Sequence, residues 1–258
     1  MKKLFCTLCK ELPTIKINVL NYCKDCFIKQ LESKIQKNFR NIPYKSKILI
    51  LFDGRLENII FLEMLTNQKN SKMFDFYLFN ISKMKAEIIR EKTNMIEIYD
   101  VHENILEKHN GHKNALEIDE EFASFFSERF SLSKNLQISL FNFIKHSKID
   151  VVLYCKSVEN VCVDIINKVS LGLTIDERDV SDLKIGNLCL FINLFKSIKN
   201  KEILYMAHLK NIKFKNEKID KLKNKKRFSI EKFVSEIDKN NPLATFNIIN
   251  TVNKINKK

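Results

Sequence analysis

The fold class follows from the segment Lys47-Ile48-Leu49-Ile50-Leu51-Phe52-Asp53-Gly54-Arg55-Leu56-Glu57-Asn58. Its apolar residues run on without alternating with polar ones, so both faces of the strand are covered, as in a parallel sheet. Asp53-Gly54-Arg55 turns the chain, and Asn58 to Leu65 reads as a helix, giving the first half of a right-handed β-α-β unit. Downstream, Phe74 to Ile81 reads as a second strand, Met84 to Thr93 as a helix and Met95 to Tyr99 as a third strand. Glu120 to Phe130 and Ser133 to His146 read as helices. Asp150 to Cys155 is another buried strand, and Val158 to Val169 a helix that ends near Gly172. This alternation predicts an α/β fold, a parallel sheet with helices on both faces.

In such a sheet, ligands sit at the carboxyl ends of the strands, here the turn after Phe52. A phosphate there wants glycine and serine, which supply free amides and hydroxyls at a helix N-terminus. The turn instead carries Asp53 and Glu57, one glycine at Gly54, the bulky Arg55, and Asn58. On the residues alone, nucleotide binding is not expected there. Cys155, Cys162 and Cys189 have no histidine beside them in sequence to activate a thiolate, so none reads as a nucleophile.

Upstream lies Cys6-Thr7-Leu8-Cys9, then thirteen residues, then Cys23-Lys24-Asp25-Cys26. Two C-x2-C knuckles can close one tetrahedral thiolate site, and structural zinc is the first reading. A four-iron cluster also takes four thiolates, although with other usual spacings, and thiols merely buried or disulfide-paired are the third reading. Phe27 to Phe39 follows as an amphipathic helix with Ile28, Leu31, Ile35 and Phe39 inward. Lys34, Lys37 and Arg40 lie along its other side or end, as a solvated face or a strip facing RNA phosphates. His102, His109 and His112 form a weaker metal candidate without a fourth ligand.

The 258 residues suffice for a full core. Seven cysteines, four of them in knuckles, suit a reducing compartment. Neither a long apolar run nor a hydrophobic leader after Met1-Lys2-Lys3 is present, so a cytoplasmic location without membrane contact is expected. The net charge of +14 comes from 39 Lys and only 6 Arg in a chain rich in Asn and Ile. It favours a nucleic-acid partner only modestly. After Gly172, Leu188 to Phe195 is apolar and Lys201 to Leu209 reads as a helix. Lys210 to Arg227 is a Lys-rich linker, and helices at Ile230 to Asp238 and Leu243 to Ile255 close the chain. The domain cuts expected are 1–42, 43–209 and 210–258.

Tyr22-Cys23-Lys24-Asp25-Cys26-Phe27, then Asn38-Phe39-Arg40, then Ile48 to Asn58, resemble in order and spacing the cytoplasmic tRNA 2-thiolation protein 2 family. Val158 to Gly172, Lys201-Glu202-Ile203, Ser229-Ile230 and Asn241 to Ile255 resemble later elements of that family. The resemblance implies a parallel-sheet PP-loop ATPase-like (adenine nucleotide alpha hydrolase-like) domain with an N-terminal four-cysteine zinc module. Active relatives of that fold carry Ser-Gly-Gly-x-Asp-Ser, of which only Gly54 survives in the loop Asp53 to Asn58. It further implies a non-catalytic, pseudo-enzyme subunit of a heterodimer with a catalytic thiolase paralogue. That subunit supports 2-thiolation of the wobble uridine, binds tRNA, and meets a ubiquitin-like sulfur carrier through the complex. Two other readings stand beside it: an active ATP-dependent tRNA sulfurtransferase, and a zinc-stabilised nucleic-acid-binding protein with no modification role.

Overall fold

The computed structural model describes residues 5–17, 19–40, 42–66, 74–82, 97–100, 119–130, 132–212 and 225–255. They form two compact units, each built from separated pieces of chain. One comprises 41–155 and 182–193, the other 1–40, 156–181 and 194–258. The sequence cuts at 42 and 209 therefore differ from the structural ones, because packing joins the two ends of the chain and a central helix.

In numbering from the N-terminus, β1 (Ile15–Ile17), β2 (Leu20–Tyr22) and α1 (Lys24–Phe39) come first. The first of the two units is a six-stranded sheet with its helices. Its elements are β3 (Lys47–Phe52), α2 (Leu56–Thr66), β4 (Asp75–Asn80), β5 (Glu97–Asp100), α3 (Glu120–Phe130), α4 (Lys134–Ser147), β6 (Val151–Tyr154), β7 (Leu183–Ile185) and β8 (Cys189–Asn193). The strand order is β5-β4-β3-β6-β8-β7, parallel throughout except that β7 runs antiparallel to β8. The α/β parallel sheet expected from the sequence is thus present.

β3 lies inside the sheet, with Ile50 opposite Leu78 of β4 on one side and Leu153 of β6 on the other. Its five residues Ile48 to Phe52 are all buried, which explains the unbroken apolar run. α2 buries Leu56, Ile59, Ile60 and Phe61 around its whole circumference, so it is a core helix rather than an amphipathic one. Phe122 packs edge-on against Phe141 at 5.0 Å and Phe191 at 6.2 Å between ring centres, which joins α3 and α4 to β8. The antiparallel β7 was not foreseen, since three residues carry no legible period. The expected helix at 84–93 and the three histidines lie outside the described residues.

The second unit holds the N-terminal module, α5 (Val158–Ser170), α6 (Asn200–Leu209), α7 (Lys225–Asn240) and α8 (Ala244–Ile255). The Ser157 hydroxyl caps α5 by accepting from the Asn160 amide. Val161, Ile165 and Val252 form one cluster, and Cys162, Val163, Ile230 and Val234 another, so α5 is sandwiched by α7 and α8. The buried Lys156 ammonium pairs with Asp164 at 2.7 Å, and Arg227 meets the other oxygen of Asp164 at 3.0 Å. This is the satisfaction a buried charge requires. α7 begins at Lys225, inside the stretch expected to be a Lys-rich linker.

Candidate functional site

The four knuckle cysteines converge on one point. The first knuckle is closed by the Cys6 amide donating to Glu11 O at 2.9 Å and the Thr7 amide donating to Asn21 O at 2.7 Å. The β1–β2 hairpin, in register from Ile15 opposite Tyr22 to Ile17 opposite Leu20, then carries the chain back to the second knuckle. Cys23 is the N-cap of α1 and Cys26 lies in its first turn, so the helix itself aims both sulfurs the same way. All four Sγ atoms lie within 4.8 Å of one another, with Cys9 to Cys23 and Cys9 to Cys26 both at 3.6 Å.

A tetrahedral ion bonded to sulfur at about 2.3 Å sets its ligands about 3.8 Å apart, so the donor set fits a single metal ion. Disulfides are excluded by the same distances, and all seven cysteines are free. Among the described residues this is the one cluster of metal-ligating side chains. Burial pushes the Cys6 thiol up, but backbone hydrogen bonds at Cys23, Leu8 and Cys9 outweigh it and bring the group to about 6. The Cys26 thiol is pushed up to about 12, first by its hydrogen bond to Cys23 and then by burial. The thiols act on one another's protons, and each gives its proton up when it binds a metal.

α6 is the platform under this module. Phe27 is buried edge-on against Tyr205 at 4.9 Å, and the Tyr205 hydroxyl donates to Thr14 Oγ1 at 2.6 Å. Asn38 Nδ2 donates to Leu194 O at 2.9 Å. Lys34, one of the three proposed RNA contacts, is instead paired with buried Glu202 at 2.6 Å. Lys37 and Arg40 are exposed. Tyr205 and Glu202 were missed as supports of the module, and Lys201-Glu202-Ile203 was the only sequence signal near them.

The loop after β3 is shaped by its own carboxylate. Gly54 takes φ +79° at the turn. Asp53 Oδ1 accepts from the Arg55 amide at 3.1 Å and from Asn58 Nδ2 at 2.7 Å, while Asp53 Oδ2 meets Arg55 Nε at 3.3 Å. Glu57 and Asn58 are buried in the first turn of α2, and Asn58 Oδ1 has no hydrogen-bond partner among the described residues. The loop is therefore rich in acceptors, and Arg55 faces the carboxylate two residues before it. Cys155 is buried, and burial raises its thiol well above the ordinary range, with Asp53 and Glu57 adding to the shift. Burial likewise pushes Cys162 and Cys189 up to about 12, so all three are protonated core thiols.

No family model and no curated protein matches the sequence. Among solved structures, the chain is similar to the U34-tRNA thiolase NcsA from Methanococcus maripaludis with its 4Fe–4S cluster. The match has a TM-score of 0.70 and 15% identity, and covers 99% of this chain and 88% of that one. The chain has that fold. At this identity the likeness establishes the PP-loop α/β architecture, including the expected parallel sheet. It also overturns one expectation, that of a pseudo-enzyme. The structure matched along nearly the whole chain is that of a thiolase, and neither the residues of the Asp53–Asn58 loop nor the family resemblance shows that catalysis is lost.

Proposed function

We propose that this chain acts in the thiolation of the wobble uridine of tRNA. The observation that carries the reading is the match of 99% of the chain to a U34-tRNA thiolase. The net charge of +14 supports a polyanionic partner, with Lys37 and Arg40 as exposed contacts. The centre at Cys6, Cys9, Cys23 and Cys26 takes zinc. Four sulfurs within 4.8 Å suit one shared ion, whereas a four-iron cluster gives each thiolate its own iron and holds the sulfurs further apart. The zinc site is closed by four protein ligands and supplies structure rather than an open coordination position.

The test is depletion in native cells with thiolated tRNA scored on mercury-retarded gels, alongside recovery of RNA with the tagged chain. Loss of thiolation with recovery of tRNA supports the reading. Unchanged thiolation with equal affinity for DNA and unrelated RNA overturns it in favour of a general nucleic-acid-binding protein. Supplying the purified chain with tRNA, ATP and sulfide then separates the roles, since 2-thiouridine formed by the chain alone assigns it the sulfur-transfer step. Metal analysis of the purified chain, expected to give zinc and no visible cluster absorption, checks the centre.

A further inference from the structure

Within the unit that holds the metal module, a line of buried and part-buried polar contacts runs from α1 to the last two helices. Lys34 of α1 donates to Glu202 Oε1 at 2.6 Å. The other oxygen of Glu202 accepts from the Lys199 amide at 2.9 Å and so caps the start of α6. The Lys199 side chain, itself buried, reaches Asp238 Oδ1 of α7 at 2.5 Å and the Pro242 carbonyl between α7 and α8, beside the ring of Phe246. Thr245 of α8 donates to the same Asp238 oxygen at 3.0 Å.

We propose that Glu202 couples occupancy of the four-thiolate centre to the order of the α7–α8 helix pair. The side chain of Glu202 is 5% exposed, and that of its partner Lys34 is 32% exposed. Lys34 sits on a helix whose first turn contains two of the four metal ligands, Cys23 at the cap and Cys26 inside it. Removing the metal frees that turn and loosens the hold of α1 on Lys34. Glu202 is then a buried carboxylate whose cation has left, and such a group turns outward to water. That movement withdraws the cap from the Lys199 amide, and the Lys199 side chain touches both α7, at Asp238, and α8, at Phe246. The helix pair therefore registers whether the thiolates hold a metal.

Amide hydrogen exchange of the full chain, zinc-loaded and after chelation, tests this, with β3 and β6 as internal reference. In the wild type, chelation lowers protection across Ile230–Asp238 and Thr245–Val252 by about tenfold or more. Zinc-loaded Lys34→Met shows the same loss with its metal content unchanged. Glu202→Gln keeps an acceptor for the Lys199 amide without the charge, and its helix pair stays protected after chelation. The double variant regains the protection that Lys34→Met lost. Full protection in zinc-loaded Lys34→Met, or equal losses on chelation in wild type and Glu202→Gln, overturns the proposal.

Discussion

Gly54 leaves β3 at φ +79°, where a side chain meets its own backbone. Gly54→Ala is expected to lower stability by about 1–2 kcal/mol in urea unfolding, with the sheet otherwise unchanged. Glu159 presents a different residue-scale effect. Burial raises its carboxyl above the ordinary 4.5, although it accepts from the Asn200 amide at 2.9 Å and Lys199 lies near. The folded state therefore binds the proton more tightly than the unfolded chain. Its contribution to stability is complete below the unfolded pKa and is lost as pH rises through the folded value. Glu159→Gln keeps an acceptor and removes the titration. Chemical unfolding followed from pH 4 to pH 8 is expected to show a shallower decline in the variant than in the wild type.

At the scale of elements, α1 shows what a sequence pattern carries and what it misses. The stripe Ile28, Leu31, Ile35 and Phe39 marks a helix correctly, but the buried seam is Phe27, Leu31 and Ile35. The difference arises because Tyr205, far along the chain, selects which side of the helix is covered. The cysteine knuckles were legible since their geometry is local, with two ligands fixed by a tight turn and two by a helix start. Glu202 was not, because its partner Lys34 stands 168 positions away. Cys9→Ser tests the module as an element. Structural zinc supplies on the order of 10–16 kcal/mol of apparent binding free energy, which doubles as folding energy. The variant is expected to lose metal and expose residues 10–24 to limited proteolysis while β3 and β6 stay protected, because the sheet unit has its own core. In the wild type, metal release measured with a colorimetric chelator increases as pH falls, since each ligand must give up its proton to bind.

For the molecule as a whole, the sheet was readable because each parallel strand is buried on both faces and so declares itself as an apolar run. The unit boundaries were not readable, since they follow contacts between segments remote in sequence. Charge also acts at this scale. With a net charge of +14, tRNA affinity is expected to fall linearly with the logarithm of salt concentration. Lys37→Ala/Arg40→Ala is expected to reduce the slope by roughly 1–2, as for two lost phosphate contacts, in filter binding at several salt concentrations.

That one unit draws on both ends of the chain has a consequence for synthesis on the ribosome. The knuckle cysteines are made well before Glu202 and Tyr205, which secure the module and follow Lys34 by about 168 residues. At roughly 5–20 residues per second, that interval lasts about 10–30 s. During it the nascent knuckles lack the support of α6, so prompt metal loading protects their thiols until the rest of the chain arrives.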